Sequence, residues 1–191
     1  SCLFGSICQF LRMKKYLPYI LVFTLSILFY WISRRSYALQ AGDLESMELF
    51  RLFRGISNLI ALFVPLMLFV FYMLTSGLMF TLLDEKYDTP KLAFVLSISF
   101  IPIILNSLIY LIVLYDMPDG SNLSEILQQS SFIGLGLSDM EEVSYIFWLG
   151  FYLFFVIMLW HEFEMGLGKA IAISCMPTLL VVLGKWVIGL I

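Results

Sequence analysis

The residues whose types could support metal binding or catalysis lie near the carboxyl end, in the stretch FVIMLWHEFEMGLGKAIAIS. His161 is the only histidine of the chain, and Glu162 follows it. A zinc protease of the H-E-x-x-H type needs a second imidazole four residues later on the same helical face. Met165 occupies that position. We therefore interpret this stretch as a short hydrated connection between two apolar segments, and we predict no metal ligand.

Other catalytic and cofactor-binding motifs give no signal in this sequence. It contains no G-x-S-x-G nucleophile elbow and neither of the glycine-rich phosphate-binding patterns. The stretch GLGLSD at 134–139 is rich in glycine, but it lies in an acidic segment that would repel phosphate. We predict a protein that is not an enzyme, with no catalytic residue and no cofactor.

Three prolines interrupt long apolar segments, and polar side chains accompany two of them. Pro65, Pro102 and Pro177 each remove a backbone donor, so each is expected to kink a helix. Asn106 lies one turn after Pro102. These residues are the candidate intramembrane polar and kink site, and two interpretations remain open. The polar groups could line a transport path, or they could bond to freed carbonyls and neighbouring helices, where an amide partner contributes roughly 1 kcal/mol.

The composition indicates which solvent surrounds the chain. Of 191 residues, 61% are hydrophobic and 13% are charged, and the mean hydropathy is +0.97. A soluble domain has about 25% charged residues, so membrane lipid is the expected environment. The formal net charge of −3 gives no indication of a nucleic-acid partner.

Five apolar windows predict the elements that must position these residues. A helix needs about 20 apolar residues to cross a bilayer, and backbone groups in lipid must bond within their own segment. We therefore predict an all-α, polytopic membrane bundle of five transmembrane helices after a cytoplasmic tail at 1–16. Pro18, Thr89 with Pro90, and Ser138 with Glu141 are the expected helix-start signals. The predicted spans, within a membrane domain at 17–191, are 17–32, 56–83, 92–115, 143–160 and 170–191.

The linker before the second window, within 34–55, is expected to be helical. Its apolar residues do not form one stripe, so it should either pack against other protein or merge into the second span.

The charges lie almost entirely outside these windows. All 14 carboxylates do so, and Lys185 is the only basic residue within a window. Intramembrane carboxylates mark ion pathways, so their absence disfavours ion coupling. The segment 116–142 holds six carboxylates and no lysine or arginine. We place it outside the cell, with a cytoplasmic N-terminus and an external C-terminus.

The third and fourth windows carry a family resemblance over about 55–191. The third reads LAFVLSISFIPIILNSLIYLI, with a proline at its middle, and the fourth leads from WLGFYLFFVIMLW into the loop HEFEMGLGKAIAI. These patterns resemble the Yip-domain family, the Ypt/Rab-interacting membrane proteins and their bacterial relatives. The eukaryotic D-L-Y-G-P and G-Y-G motifs are absent, which favours a bacterial relative. The residues that match the family's pattern are Pro102, Trp148, Gly166, Gly168, Lys169 and Ala170.

The resemblance implies a non-catalytic scaffold that works with other membrane proteins. In bacterial relatives, this means an accessory, assembly or regulatory subunit of an ABC-type exporter in the plasma membrane. The alternative hypothesis is a transport protein or permease subunit with a path near Pro102 and Asn106.

Overall fold

The structure, a computed structural model, describes residues 2–40, 48–117, 136–137 and 139–189. In these ranges the chain forms helices and no sheet strand: α1 Cys2–Gln40, α2 Glu48–Leu82, α3 Thr89–Ser99, α4 Ile101–Asp116, α5 Met140–Glu162 and α6 Leu167–Gly189. The all-α class is confirmed. Five segments within the described ranges are long and apolar enough to cross a membrane: Tyr16–Leu39, Glu48–Leu82, Thr89–Asp116, Met140–Glu162 and Leu167–Trp186.

The helices are longer than the apolar windows that predicted them. Helix α1 already includes residues 2–16, which were expected to be a tail, and Pro18 lies inside it rather than at its first turn. Helix α2 begins at Glu48, so this part of the linker merges with the second span, as expected. An apolar window underestimates a helix because charged turns at its ends continue the same backbone hydrogen bonding.

The N-cap of α3 lies one residue before the predicted N-cap. Asp88, rather than Thr89, is the N-cap of α3, and Pro90 lies in the first turn. Ser138 lies outside the described residues. Asp139 directly precedes α5, and its carboxylate accepts a hydrogen bond of 2.8 Å from the N–H of Gly136.

Pro102 coincides with an interruption, whereas the other two prolines do not. The third predicted span is divided at Phe100 into α3 and α4, two residues before Pro102. A proline at this position has no N–H to donate to the carbonyl of residue 98. Helices α2 and α6 continue through Pro65 and Pro177. Pro102 therefore lies in the first turn of α4, directly after the interruption at Phe100.

The chain divides into two compact units. The first unit comprises Ser1–Val22, Met67–Ile101 and Gly150–Ile191. An aromatic cluster lies at its centre: the rings of Tyr72 and Phe151 pack edge-to-face with centroids 5.2 Å apart, and Phe100 and Phe155 pack against them. Edge-to-face pairs gain energy beyond the area they bury, so this cluster fixes α2, α3 and α5 within the unit.

The second unit comprises Phe23–Leu66 and Pro102–Leu149. Arg35 on α1 donates to the carbonyl oxygens of Leu114 at 3.1 Å and Met117 at 2.7 Å, and its guanidinium lies 5.2 Å from the centre of the Tyr115 ring. A cation at a helix C-terminus satisfies carbonyls that lack intrahelical donors. Arg35 therefore caps the C-terminal end of α4. The apolar core beside it consists of Leu39, Val113, Leu114, Met117 and Met140.

Candidate functional site

The four residues predicted to form a polar and kink site are not gathered into one compact unit. Pro65, Pro102 and Asn106 belong to the second unit, and Pro177 belongs to the first. All three prolines are buried, and Asn106 is half-buried.

Asn106 has the interhelical partner that its position required. Its side-chain amide donates a hydrogen bond of 3.1 Å to the hydroxyl of Ser144 on α5. Its carbonyl oxygen Oδ1 is buried and has no hydrogen-bond partner among the described groups. The donor half of the amide is therefore engaged in packing α4 against α5 within the second unit.

Hydroxyls near Pro102 bond to their own helices. Ser99 donates to the carbonyl of Val95 at 2.9 Å, Ser97 to that of Phe94 at 2.8 Å, and Ser107 to that of Ile103 at 2.8 Å. Such bonds satisfy serine in an apolar helix without any external group. The hydroxyls of these three serines are therefore satisfied within their own helices.

Three hydroxyls meet between α2, α5 and α6 in the first unit. The Tyr72 hydroxyl lies 2.9 Å from that of Tyr152 and 3.4 Å from that of Thr178, and Tyr152 and Thr178 also hydrogen-bond to each other. Thr178 directly follows Pro177, which is its only distinguishing feature in the sequence. Tyr72 and Tyr152 could not be identified from the sequence as members of this cluster, because tyrosine rings are equally expected in an apolar core.

Two further serines lie one helical turn from this hydroxyl cluster. Ser76 follows Tyr72 by four residues on α2, and Ser174 precedes Thr178 by four on α6. Both are fully buried, and neither hydroxyl has a hydrogen-bond partner among the described groups. They differ in this respect from Ser97, which is equally buried but bonded to its own helix.

Residues near His161, at the end of α5 and the start of α6, contact the α2–α3 loop and the start of α3. Lys91 on α3 contacts the Glu162 carboxylate at 3.7 Å, donates to the Glu162 carbonyl, and lies 5.0 Å from the Phe163 ring centre. Lys169 pairs with Glu85 at 2.5 Å. The first pair links the start of α3 to the end of α5, and the second links the α2–α3 loop to the start of α6.

The aromatic ring of Phe80 lies beneath the same two loops. Its centroid is 4.9 Å from that of Phe163 and 5.1 Å from that of Tyr87, so one buried ring of α2 contacts both loops. Gly77 allows Tyr87 to approach, because a Cβ at this glycine would lie 2.8 Å from the tyrosine hydroxyl. His161 itself is exposed in the last turn of α5. No group of three metal-ligating side chains occurs in the described part of the chain.

Two cavities open beside these loops in the first unit. The apolar groove has a volume of about 590 Å³ and lies between α1, α2 and α3, whereas the polar recess has a volume of about 460 Å³ and lies against the loops. Asp88, Lys91 and Glu162 line both cavities. The other residues of the apolar groove are Pro18, Tyr19, Phe69, Thr89, Pro90, Ala93 and Phe94, and those of the polar recess are Lys86, Tyr87, Phe163 and Glu164.

Helix α2 presents a second candidate site, on its part in the second unit. Its half-buried positions there include Ser57 and Asn58, and Asn58 accepts a hydrogen bond of 2.8 Å from Ser33 on α1. The opposite face is exposed and entirely apolar. We call this face the α2 seam, and it consists of Leu49, Leu52, Phe53, Ile56, Leu59, Ile60 and Phe63.

The α2 seam repeats every seven residues. Leu49, Ile56 and Phe63 occupy one position of the repeat, and the pairs 52–53 and 59–60 occupy the two positions between them. This spacing is the pattern by which one helix packs along another. Sequence reasoning missed it because Phe50 and Arg54 lie between the seam residues, and only the fold shows that they face inward.

Comparison with protein families, with curated proteins and with solved structures finds no match to this chain.

Proposed function

We propose that this chain is a non-enzymatic, five-span integral membrane protein that acts as an accessory, assembly or regulatory subunit of a membrane complex. The observation that carries the proposal is the α2 seam, because an apolar face with a seven-residue repeat suits a partner helix. By the Yip-domain resemblance, the partner is a subunit of an ABC-type exporter in a bacterial plasma membrane.

The length of α2 supports the view that a protein partner, rather than lipid, covers the beginning of the seam. With 35 residues, α2 is roughly 52 Å long, whereas the hydrocarbon core is about 30 Å thick. Even a tilt of about 40° leaves roughly 40 Å along the bilayer normal. The charged residues from Asp84 to Asp88 mark one boundary of the hydrocarbon just beyond Leu82. Leu49, Leu52 and Phe53 at the other end then extend past the acyl chains, and a partner would cover them.

Charged residues of both signs are exposed in the first turn of α2, where the seam begins: Glu48 and Arg51. Charges that flank an apolar helix interface select the partner and its register. The partner helix should therefore carry charges of both signs beside its apolar residues.

Site-specific photo-crosslinking tests the proposal. A photoreactive residue at Leu52 or Leu59 should give cross-links to one and the same membrane protein, an ATPase or permease subunit of an exporter. Leu179, which is exposed to a similar degree on α6, is the matched control and should not give that product. Cross-links to lipid alone, or equal yields from all three positions, would overturn the proposal.

Polar substitutions supply the quantitative form of this test. Leu52→Asn with Leu59→Asn should lower co-purification of the cross-linked partner about tenfold or more, since central interface residues contribute over 1 kcal/mol each. Leu179→Asn should leave it unchanged. The alternative, a transport path near Pro102 and Asn106, makes the opposite prediction for another variant: Asn106→Leu would abolish flux but leave partner binding intact.

A further inference from the structure

The apolar groove and the polar recess together have the chemistry of an amphiphile. The groove is bounded mainly by apolar side chains, including Phe69 and Phe94, and Tyr19 at its edge is 73% exposed. The recess adjoins it through a shared wall and is bounded mainly by charged side chains. Ligand pockets of about 300–1,000 Å³ commonly combine apolar walls with a few polar groups that fix orientation.

The charged side chains that line the recess are of both signs and carry an excess of negative charge. The recess is lined by two lysines, Lys86 and Lys91, and by three carboxylates, Asp88, Glu162 and Glu164, which gives a formal charge of −1. Lys91 is already paired with Glu162. Asp88 is exposed at the start of α3, and its side chain makes no capping bond to that helix. An ammonium group therefore fits better than a purely anionic group.

The recess also offers aromatic surface to an ammonium group. Tyr87 and Phe163 line it, and Tyr87 is 41% exposed. Aromatic faces attract cations within about 6 Å of the ring centre. The lysines provide a complementary contact for a phosphate in the same headgroup.

We propose that the groove and the recess bind one molecule of a zwitterionic aminophospholipid, phosphatidylethanolamine, from the surrounding bilayer. One of its two acyl chains lies in the apolar groove against Phe69 and Phe94, and its ammonium group pairs with Asp88. This inference rests on only one part of the proposed function, the insertion of the helices in a bilayer, and it requires no protein partner.

Lipid retention by the purified full-length chain tests the proposal. The protein is reconstituted in vesicles of equal parts phosphatidylethanolamine and phosphatidylglycerol with identical acyl chains, then extracted in mild detergent, and retained lipids are counted by native mass spectrometry. The wild type should retain phosphatidylethanolamine about two- to fivefold over phosphatidylglycerol, the ratio that one exposed ion pair provides. Asp88→Asn should reduce this ratio to about one.

Two further variants separate the site from general lipid binding. Ala93→Trp should fill the groove and remove retention of both lipids, whereas Glu142→Gln, a matched loss of charge on the second unit, should leave the ratio unchanged. Equal retention of both lipids by the wild type, an unchanged ratio in Asp88→Asn, or full retention in Ala93→Trp would each overturn the proposal. A failure of the seam cross-links would leave these results unaffected, so the two proposals fail separately.

Discussion

At the scale of single residues, the buried hydroxyls divide into two groups. Ser97, Ser99 and Ser107 donate to carbonyls of their own helices, whereas Ser76 and Ser174 are equally deep and bond to no described group. A buried hydroxyl without a partner costs roughly 1–3 kcal/mol. The unbonded hydroxyl of each of these two serines therefore lowers the stability of the first unit.

Replacing such a hydroxyl should stabilise the protein. Ser76→Ala is expected to raise the free energy of unfolding by about 0.5–1 kcal/mol, because the desolvated oxygen is removed and alanine favours the helix. Denaturation of the purified protein in mixed micelles measures this change. Ser99→Ala is the control and should give no gain, since it removes a bonded hydroxyl. A loss above about 1 kcal/mol in Ser76→Ala would show that the hydroxyl has a partner, such as an ordered water.

At the scale of elements, the end of α2 shows how the chain makes a turn without glycine. The N–H of Glu85 donates to the carbonyl of Phe80 at 2.9 Å, and the N–H of Asp84 donates to that of Thr81 at 3.3 Å. These are the two bonds of a Schellman motif, whose C′ residue adopts a left-handed conformation. Asp84 occupies that position with φ of 54°. Glycine is the usual residue there, so no strong stop signal for the helix could be recognised in the sequence.

Glycine at this position should therefore stabilise the turn. Asp84→Gly is expected to raise the unfolding free energy by about 0.5–1 kcal/mol, or the melting temperature by roughly 1–4 °C, because it removes the steric cost of the left-handed backbone. Thermal unfolding in detergent measures the shift. Lys86→Gly, at a position without a positive φ, should give no increase. Equal shifts in both variants would contradict this explanation.

The break at Pro102 belongs to the same scale. The sequence predicted a kink at each of three prolines by one argument, the missing N–H. Helical structure is interrupted beside Pro102, whereas α2 and α6 continue through Pro65 and Pro177. The missing donor is common to all three positions, so it does not by itself decide where a helix ends.

At the scale of the whole molecule, the positions of the charges make a prediction about orientation. If the N-terminus is cytoplasmic, the loops at 83–88 and 163–166 face the cytoplasm and Asp139 faces outside. In a variant without native cysteines, Asp139→Cys should react with an impermeant maleimide in intact cells. Lys86→Cys should react only after the cells are permeabilised. The reverse pattern would invert the proposed orientation and place the polar recess on the outer leaflet.

The sequence by itself determined the class of fold and the number of long apolar segments in the described part of the chain. Apolar length is a property of contiguous residues, and a chain with 61% hydrophobic residues has few other ways to satisfy its backbone. Five windows therefore predicted the five long apolar segments of the structure, with errors mainly at their ends. The sequence also indicated that Asn106 needed a partner, but it did not identify Ser144.

Only the tertiary structure decided which distant residues meet. Lys91 and Glu162 are 71 residues apart in the chain, Lys169 and Glu85 are 84 apart, and Tyr72 and Thr178 are 106 apart. Their residue types are common at helix ends and in apolar cores, so no local pattern distinguishes them. Which face of α2 turns outward was likewise set by packing against α1. The apolar groove, the polar recess and the α2 seam exist because side chains from separate helices are brought together, or left uncovered, by the folded arrangement.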